Sequence, residues 1–404
     1  MKKIPFSPPD ITDAEINEVI DTLKSGWITT GPKTKLFEQK IAKYCGTTHA
    51  VCLNSATAGL ELSLRLFGIG EGDEVITTPY TFASTANIIL HVGATPIFVD
   101  VSPDSFLIDP TAIERAITPR TKAVIPVDFA GIPADYHNIK KVLERNKNLY
   151  TPTVGTKQET LDRPLLIADA AHALGAKMQL NNNWLNVGTL ADFTVFSFHA
   201  VKNLTTAEGG AVTFCDISTL KGDDLYREFM LFSLHGQSKD ALAKMQAGGW
   251  QYNIELAGYK CNMTDIMAAI GLAQLKRYPT MLARREEIYH HYKKLLSANA
   301  SIILPEEYEN RRSSFHIMPV RLHGFDEAKR NDVISKLAQA GISANVHFIP
   351  LPMQPLYKQL GYNIVNYPNA YSQYCNEITL PLYSTLTLTD ADFIAKKLLG
   401  IIQK

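Results

Sequence analysis

Between residues 50 and 215 short apolar runs alternate with helix-forming stretches, and this alternation restricts the fold more than any other feature of the chain. Strand-like runs occupy 50–53 (AVCL), 74–77 (EVIT), 96–100 (PIFVD), 122–127 (KAVIPV), 164–168 (PLLIA), 193–197 (FTVFS) and 211–215 (AVTFC). Helical stretches at 57–68, 82–92, 110–117 and 135–145 separate most of them. Apolar strands joined by helices lie parallel and bury both faces, so the pattern predicts an α/β fold. The expected core is a seven-stranded, mostly parallel sheet with helices on both faces. Ligands on such sheets bind beyond the carboxyl ends of the strands. The residues that follow each strand are therefore the candidates for function.

The flanks extend this frame. Ile16, Val19, Ile20 and Leu23 fall at helical spacing over 12–23, and a turn-rich loop (25–32) carrying Trp27 leads to a second helix over 34–44. The polar stretch 145–164 reads as a surface excursion. A loop over 236–258, holding Gly248-Gly249-Trp250, reads equally as a lid or a subunit contact. The run 264–290 predicts a long connecting helix interrupted near Pro279. Beyond it a smaller α/β unit is expected, with strands at 315–322 and 343–348 and helices at 326–340 and 388–402. A chain of 404 residues is long for one core. The expected division is a large domain over 1–280 and a small C-terminal domain over 281–404.

Forty basic and forty acidic residues cancel, which argues against bulk attraction to nucleic acid or anionic membrane. No apolar run approaches the length of a membrane span, and the start, MKKIPFSPPD, lacks the apolar core of a signal peptide. Cys45, Cys52, Cys215, Cys261 and Cys375 are odd in number and scattered, as expected of reduced thiols in a cytoplasmic protein. No metal site is expected.

The strand ends carry a chemical set. Asn54-Ser55-Ala56-Thr57 precedes a helix whose first turn holds Ala58 and Gly59. Small residues there let amides and the Thr57 hydroxyl converge on an anion, although a Ser/Thr cap alone has the same pattern. Asp169 follows four apolar residues and precedes two alanines, so it should be buried and need a cationic partner. A protonated pyridine nitrogen would serve, and so would a core arginine. His172 could line the same pocket or sit hydrogen-bonded in the core. Phe82 could cover a planar ring or fill the core. Lys202, just past an apolar strand and ahead of Gly209-Gly210, is placed to face a cleft, where a desolvated amine captures carbonyl compounds. Together these groups match what pyridoxal 5′-phosphate (PLP) requires: a held phosphate, a stacked ring, a charged pyridinium and a captured aldehyde. A GxGxxG turn is missing after the first strand, which speaks against a dinucleotide-binding alternative.

The segments NSATAGL, DEVITTPYTF, GATPIFVDV, DAAHALGA, FSFHAVKNLTTAEGGA and VHFIPLP, in this order, resemble the DegT/DnrJ/StrS-type sugar-nucleotide aminotransferases. The similarity covers nearly the whole chain. It implies a fold-type-I PLP enzyme in which Lys202 forms the Schiff base, Asp169 pairs with the pyridine nitrogen, Phe82 stacks on the ring and His172 lies beside it. Ala56, Thr57 and Ser197 would hold the phosphate, while Trp27 and His347 would lie along the sugar-nucleotide cleft. The resemblance also implies a homodimer with shared active sites, the 258–264 stretch being donated to the partner. Many members carry GxNxR there, whereas this chain reads Gly258-Tyr259-Lys260-Cys261-Asn262, which leaves either Lys260 or Asn262 to contact the partner's cofactor.

The implied reaction moves the amino group of L-glutamate to C4 of a UDP-linked 4-keto sugar, 4,6-dideoxy-N-acetylhexose in type. A 4-keto pentose, a 3-keto sugar and a non-catalytic regulator that binds PLP or a sugar nucleotide remain as alternatives. Dehydratases of the same fold replace the Schiff-base lysine with histidine, so Lys202 argues against that chemistry.

Overall fold

The computed structural model describes residues 3–239 and 250–403. At its centre is a seven-stranded sheet built from β1 (His49–Leu53), β2 (Glu74–Thr77), β3 (Thr95–Phe98), β4 (Thr121–Ile125), β5 (Leu165–Asp169), β8 (Phe193–Ser197) and β9 (Gly210–Phe214). The spatial order is β1-β9-β8-β5-β4-β2-β3. β8, β5, β4, β2 and β3 pair in parallel, while β9 runs antiparallel to both of its neighbours. A hairpin that sequence reading did not anticipate, β6 (Lys177–Leu180) and β7 (Asn183–Asn186), pairs with the short β11 (Arg311–Arg312).

The N-terminal helices α1 (Asp13–Lys24) and α2 (Pro32–Cys45) precede the sheet. Thr12 opens α1 through a capping box with Glu15. The crossover helices are α3 (Ala56–Leu66), α4 (Ala83–His91), α5 (Pro110–Ala116) and α6 (Tyr136–Arg145), and α7 (Gly222–Ser233) follows the sheet. Two apolar layers result, one on each face. One contains Phe37, Ile41, Val124, Leu166 and Phe196, and the other Leu60, Leu64, Ile125, Leu165 and Val195. Each such side chain, fully buried, contributes about 1.5–3 kcal/mol. Gly59 lets α3 lie close against the sheet, because a Cβ there would lie 2.8 Å from Val212 and 3.0 Å from Val195.

The long helix α8 (Asp265–Leu296) passes through Pro279 without a break, contrary to the expected interruption. Proline removes one hydrogen bond, but the flanking turns are clamped. Tyr278 donates to the Leu174 carbonyl at 2.6 Å, and Arg277 pairs with Asp10 at 2.8 Å. The C-terminal unit holds β10 (Ile302–Ile303), β12 (Met318–Leu322) and β13 (Glu377–Leu380) in one sheet. With it come α9 (Glu327–Gln339), α10 (Pro355–Gln359), α11 (Pro368–Asn376) and α12 (Leu388–Ile402). Its core joins Ile288 and Tyr292 of α8 to Val320, Leu337, Ile378 and Leu398, and recruits Ile4 from the N-terminal segment. We propose the division at residue 280, mid-helix, as the boundary between the two units.

The strand expected at 343–348 does not form. Only Asn345 pairs with Thr379, through bonds of 3.1 and 2.8 Å. The next two amides leave the ladder for side-chain oxygens: Val346 donates to Asn345 Oδ1 at 2.8 Å and His347 to Glu377 Oε2 at 3.0 Å.

The excursion at 145–164 contains two short 3₁₀ turns and is anchored by buried Gln158, which bonds to Gly68, Asp73 and Thr153. Asp73 immediately precedes β2, so the excursion is anchored at the amino end of the strands, away from their carboxyl ends. Of the 236–258 loop, Gly248 and Gly249 lie outside the described residues, and Trp250 is exposed.

Candidate active site

The carboxyl ends of β1, β2, β5 and β8 open into one cavity of about 320 Å³, within the usual range for a small-molecule site. Eight of the eleven residues singled out from sequence line it: Ala56, Thr57, Phe82, Asp169, His172, Ser197, Lys202 and His347.

Lys202 sits in the loop between β8 and β9. That loop is closed at its neck by Phe198 N–H to the Gly209 carbonyl (2.8 Å) and Thr206 N–H to the Phe198 carbonyl (2.9 Å). Phe198 and Leu204 are fully buried beneath it, which leaves Lys202 turned to the cavity. Asn203 ties the loop to the C-terminal unit, donating to the Ser314 carbonyl at 2.7 Å and accepting from His316 Nδ1 at 2.8 Å. Burial pushes the Lys202 amine down to about 8, with Asp169 opposing the shift. A neutral amine is the nucleophile, so capture of an aldehyde should accelerate as pH rises from 6.5 and level off above about 8. Stopped-flow absorbance after mixing apoprotein with PLP measures this, and a flat profile would contradict the placement of Lys202.

Asp169 ends β5 and is 4% exposed. Its Oδ2 accepts from the Thr85 hydroxyl at 2.7 Å and its Oδ1 from Ala171 N–H at 3.3 Å. Burial raises its pKa, and the only cation among the opposing causes is Lys202. A carboxylate so enclosed is stabilised by a cationic donor arriving in the cavity, as a pyridinium would. His172 accepts from Ala130 N–H at Nδ1 (3.3 Å), which places the ring proton on Nε2. Burial, with Lys202 and His347 nearby, keeps this ring neutral by lowering its pKa well below the usual value.

The anion end is the first turn of α3. Ser55 caps it, accepting from Ala58 N–H at 3.1 Å, while the Ala56 and Thr57 amides have no intrahelical acceptor. Gly210 brings this turn against the lysine loop, because a Cβ there would lie 2.4 Å from the Ala56 nitrogen. Ser197 faces the same end. Across the cavity, the Phe82 ring is 63% exposed, an unusual state for phenylalanine that a planar ring laid on its face would relieve. Amide turn, aromatic face, buried acid and amine thus fit the four parts of PLP.

Trp27, Lys260 and Asn262 do not line this cavity. They gather instead around Thr30, whose carbonyl accepts from Trp27 Nε1 at 3.2 Å and whose hydroxyl accepts from Asn262 Nδ2. Lys260 Nζ donates to Asn262 Oδ1. Sequence reading missed several residues that line the cavity or support it. Thr85 lies one helical turn from Thr81, with hydroxyls 2.7 Å apart, a spacing visible in the sequence. Phe6, Ser7 and His316 arrive from distant segments and carry no local signal, whereas Phe348 stands beside His347 in the VHFIPLP segment.

A family model described as the DegT/DnrJ/EryC1/StrS aminotransferase family matches residues 9–399. The spore coat polysaccharide biosynthesis protein SpsC of Bacillus subtilis is 40% identical, over 99% of this chain and 97% of its own length. Among solved structures, the putative sugar aminotransferase Spr1654 from Streptococcus pneumoniae, in its PMP form, is 48% identical with a TM-score of 0.95, covering 99% of each chain. A PLP form of the same protein also matches, at 46% identity, with 100% of this chain and 99% of that one covered and a TM-score of 0.93. Helicobacter pylori PseC, an aminotransferase involved in the biosynthesis of pseudoaminic acid, is 31% identical with a TM-score of 0.86 over all of both chains.

Proposed function

This chain belongs to the DegT/DnrJ/EryC1/StrS aminotransferase family, and from that premise we propose that it is a PLP-dependent sugar aminotransferase moving the amino group of L-glutamate to C4 of a UDP-linked 4-keto hexose. The observation that carries this reading is the single cavity that joins Lys202 to buried Asp169 and to the first turn of α3. When bound, PLP supplies the electrophilic carbon and an electron sink. The residues around it divide the remaining work. Lys202, with its amine near neutrality, accepts and returns a proton within the enclosed cavity. Asp169 would pair with a protonated ring nitrogen, and Thr85 and the Ala171 amide fix its carboxylate in place. Ala56, Thr57 and Ser197 would hold the phosphate, and Phe82 and His172 would hold the ring. His347 meets the substrate.

Relatives named for spore coat polysaccharide and pseudoaminic acid biosynthesis support a sugar as acceptor. Purified protein, PLP and glutamate incubated with UDP- and dTDP-linked 3-keto and 4-keto sugars should aminate the UDP 4-keto hexose, as read by mass spectrometry. Amination of only a 3-keto sugar or a 4-keto pentose would redirect the assignment, and none with any sugar would remove it.

The proposed assembly is a cytoplasmic homodimer with shared sites. Ile16, Ile20 and Leu23 of α1, with Ile11 and Ile28, are 41–54% exposed. Ile11, Ile16 and Ile20 line an apolar groove with Ala200, Thr205 and Ala207 of the lysine loop. Apolar side chains grouped in this way favour a partner surface. The cluster of Trp27, Asn262 and Lys260 would then face the partner's cofactor. The double substitution Ile16→Glu/Ile20→Glu should convert a dimer to monomer in sedimentation and lower activity about tenfold or more. A dimer that persists unchanged would rule out this face.

A further inference from the structure

The ring of His347 is held more tightly than contact with a ligand alone requires. Its Nδ1 is 3.0 Å from the Thr379 hydroxyl, which in turn donates to Glu377 Oε1. The other oxygen of the same carboxyl group, Oε2, accepts the backbone N–H of His347 at 3.0 Å. Side chain and main chain of one residue are thereby tied to one carboxyl group in a closed loop. Tyr80 donates to the His347 carbonyl at 2.7 Å, and Phe6 stacks on the imidazole at 5.5 Å with 22° between planes. Thr379 and Glu377 lie two apart on β13 and so face the same side of the sheet. Both are fully buried.

With Nδ1 engaged inside the protein, Nε2 is the polar atom of the ring left for a molecule in the cavity. We propose that Thr379 and Glu377 are positioning residues that hold the His347 imidazole so that Nε2 meets an oxygen of the bound substrate. A buried carboxyl group is costly unless its hydrogen bonds are made. Here both oxygens are spent on His347, one directly and one through Thr379. Burial pushes Glu377 up to about 8, with Arg330 opposing, and Arg330 donates to the Glu377 carbonyl at 2.9 Å rather than to its side chain. The charged and titratable groups facing His347 from other elements are Lys202 and His172, with His316 behind His172. None of these bonds to its ring nitrogens. Because the Thr379 hydroxyl donates to Glu377, Nδ1 carries the ring proton and Nε2 accepts. The substrate oxygen it meets is therefore a hydroxyl, as on the sugar, and the loss falls in the sugar half-reaction rather than that of the amino donor.

The inference rests on the transaminase reading, and a double-mutant cycle in the holoenzyme tests it. Thr379→Val, which keeps shape and removes the hydroxyl, should lower kcat/KM about tenfold in the half-reaction whose substrate Nε2 meets. PLP affinity should stay at its wild-type value, while the melting midpoint should fall modestly because buried Glu377 Oε1 loses its donor. Thr379→Ser should restore kcat/KM to within about twofold, and Glu377→Gln should show a loss comparable with Thr379→Val. In a His347→Ala background, Thr379→Val should cost less than about twofold. Wild-type kcat/KM for Thr379→Val in the sugar half-reaction would overturn the inference. So would an equal loss with and without His347, or a serine variant no better than valine. Failure of the transaminase reading would show differently, as absent turnover in the wild-type enzyme.

Discussion

Replacement of Lys202 by alanine should lower multiple-turnover transamination by at least about 10³-fold, the scale expected when nucleophile and proton carrier are lost together. The loss should not come from unfolding. Lys202 is enclosed, and its pKa is brought from 10.5 down to about 8, so the folded apoprotein holds this ammonium at a cost. Between about pH 8 and 10.5 the unfolded chain binds the proton and the folded chain does not, so this group contributes stability that rises with pH across that window. Below it the amine is charged in both states and the cost of burying it is felt fully. The apo variant should therefore melt no lower than wild type at pH 7, while its turnover collapses. Lys202→Arg should be as inactive, because a guanidinium carries charge but does not act as a nucleophile at neutral pH. Steady-state turnover and calorimetry on the same preparations check both halves. Near-wild-type turnover in Lys202→Ala would contradict the assignment.

Asp169→Asn should be the second largest effect, a fall of about 10²–10³ in kcat/KM with folding intact. An amide in that position no longer offers a charge to keep a pyridinium protonated. The structure also predicts an opposite effect on the apoprotein. The folded-state pKa of Asp169 is raised, chiefly by burial. A raised carboxyl pKa means the folded chain binds protons more tightly, so stability falls as pH rises from the unfolded value through the folded one. Removing that carboxyl group should leave apo Asp169→Asn at least as stable as wild type at pH 7, and the added stability that PLP gives wild type should shrink. Melting curves with and without PLP, beside half-reaction rates, measure this. An equal PLP-induced shift in wild type and variant would contradict a charge pairing at Asp169.

The sheet and the cavity were legible in the sequence because both depend on local signals. Apolar runs bounded by helices placed all seven central strands, and the residues after four of them, from Ala56 to Lys202, meet in one cavity. What stayed hidden depends on partners far along the chain. Pro279 reads as a break until the contacts of Tyr278 and Arg277 are seen. The run 343–348 reads as a strand because its pattern cannot show that the His347 amide is taken by Glu377. Phe6 comes from the N-terminal segment, held by Ile4 against residues 341–343, and no spacing in the sequence links it to His347. Trp27 was expected along the sugar-nucleotide cleft and Lys260 or Asn262 at the partner's cofactor, and within one chain all three gather around Thr30.

The most direct measurement of the central claim is covalent. Holoenzyme reduced with borohydride, digested and mapped by mass spectrometry should carry a pyridoxyl-phosphate mass on the peptide containing Lys202, and Lys202→Ala incubated with the same PLP and treated alike should carry none. The label on another lysine, or an equal label in the variant, would contradict the account.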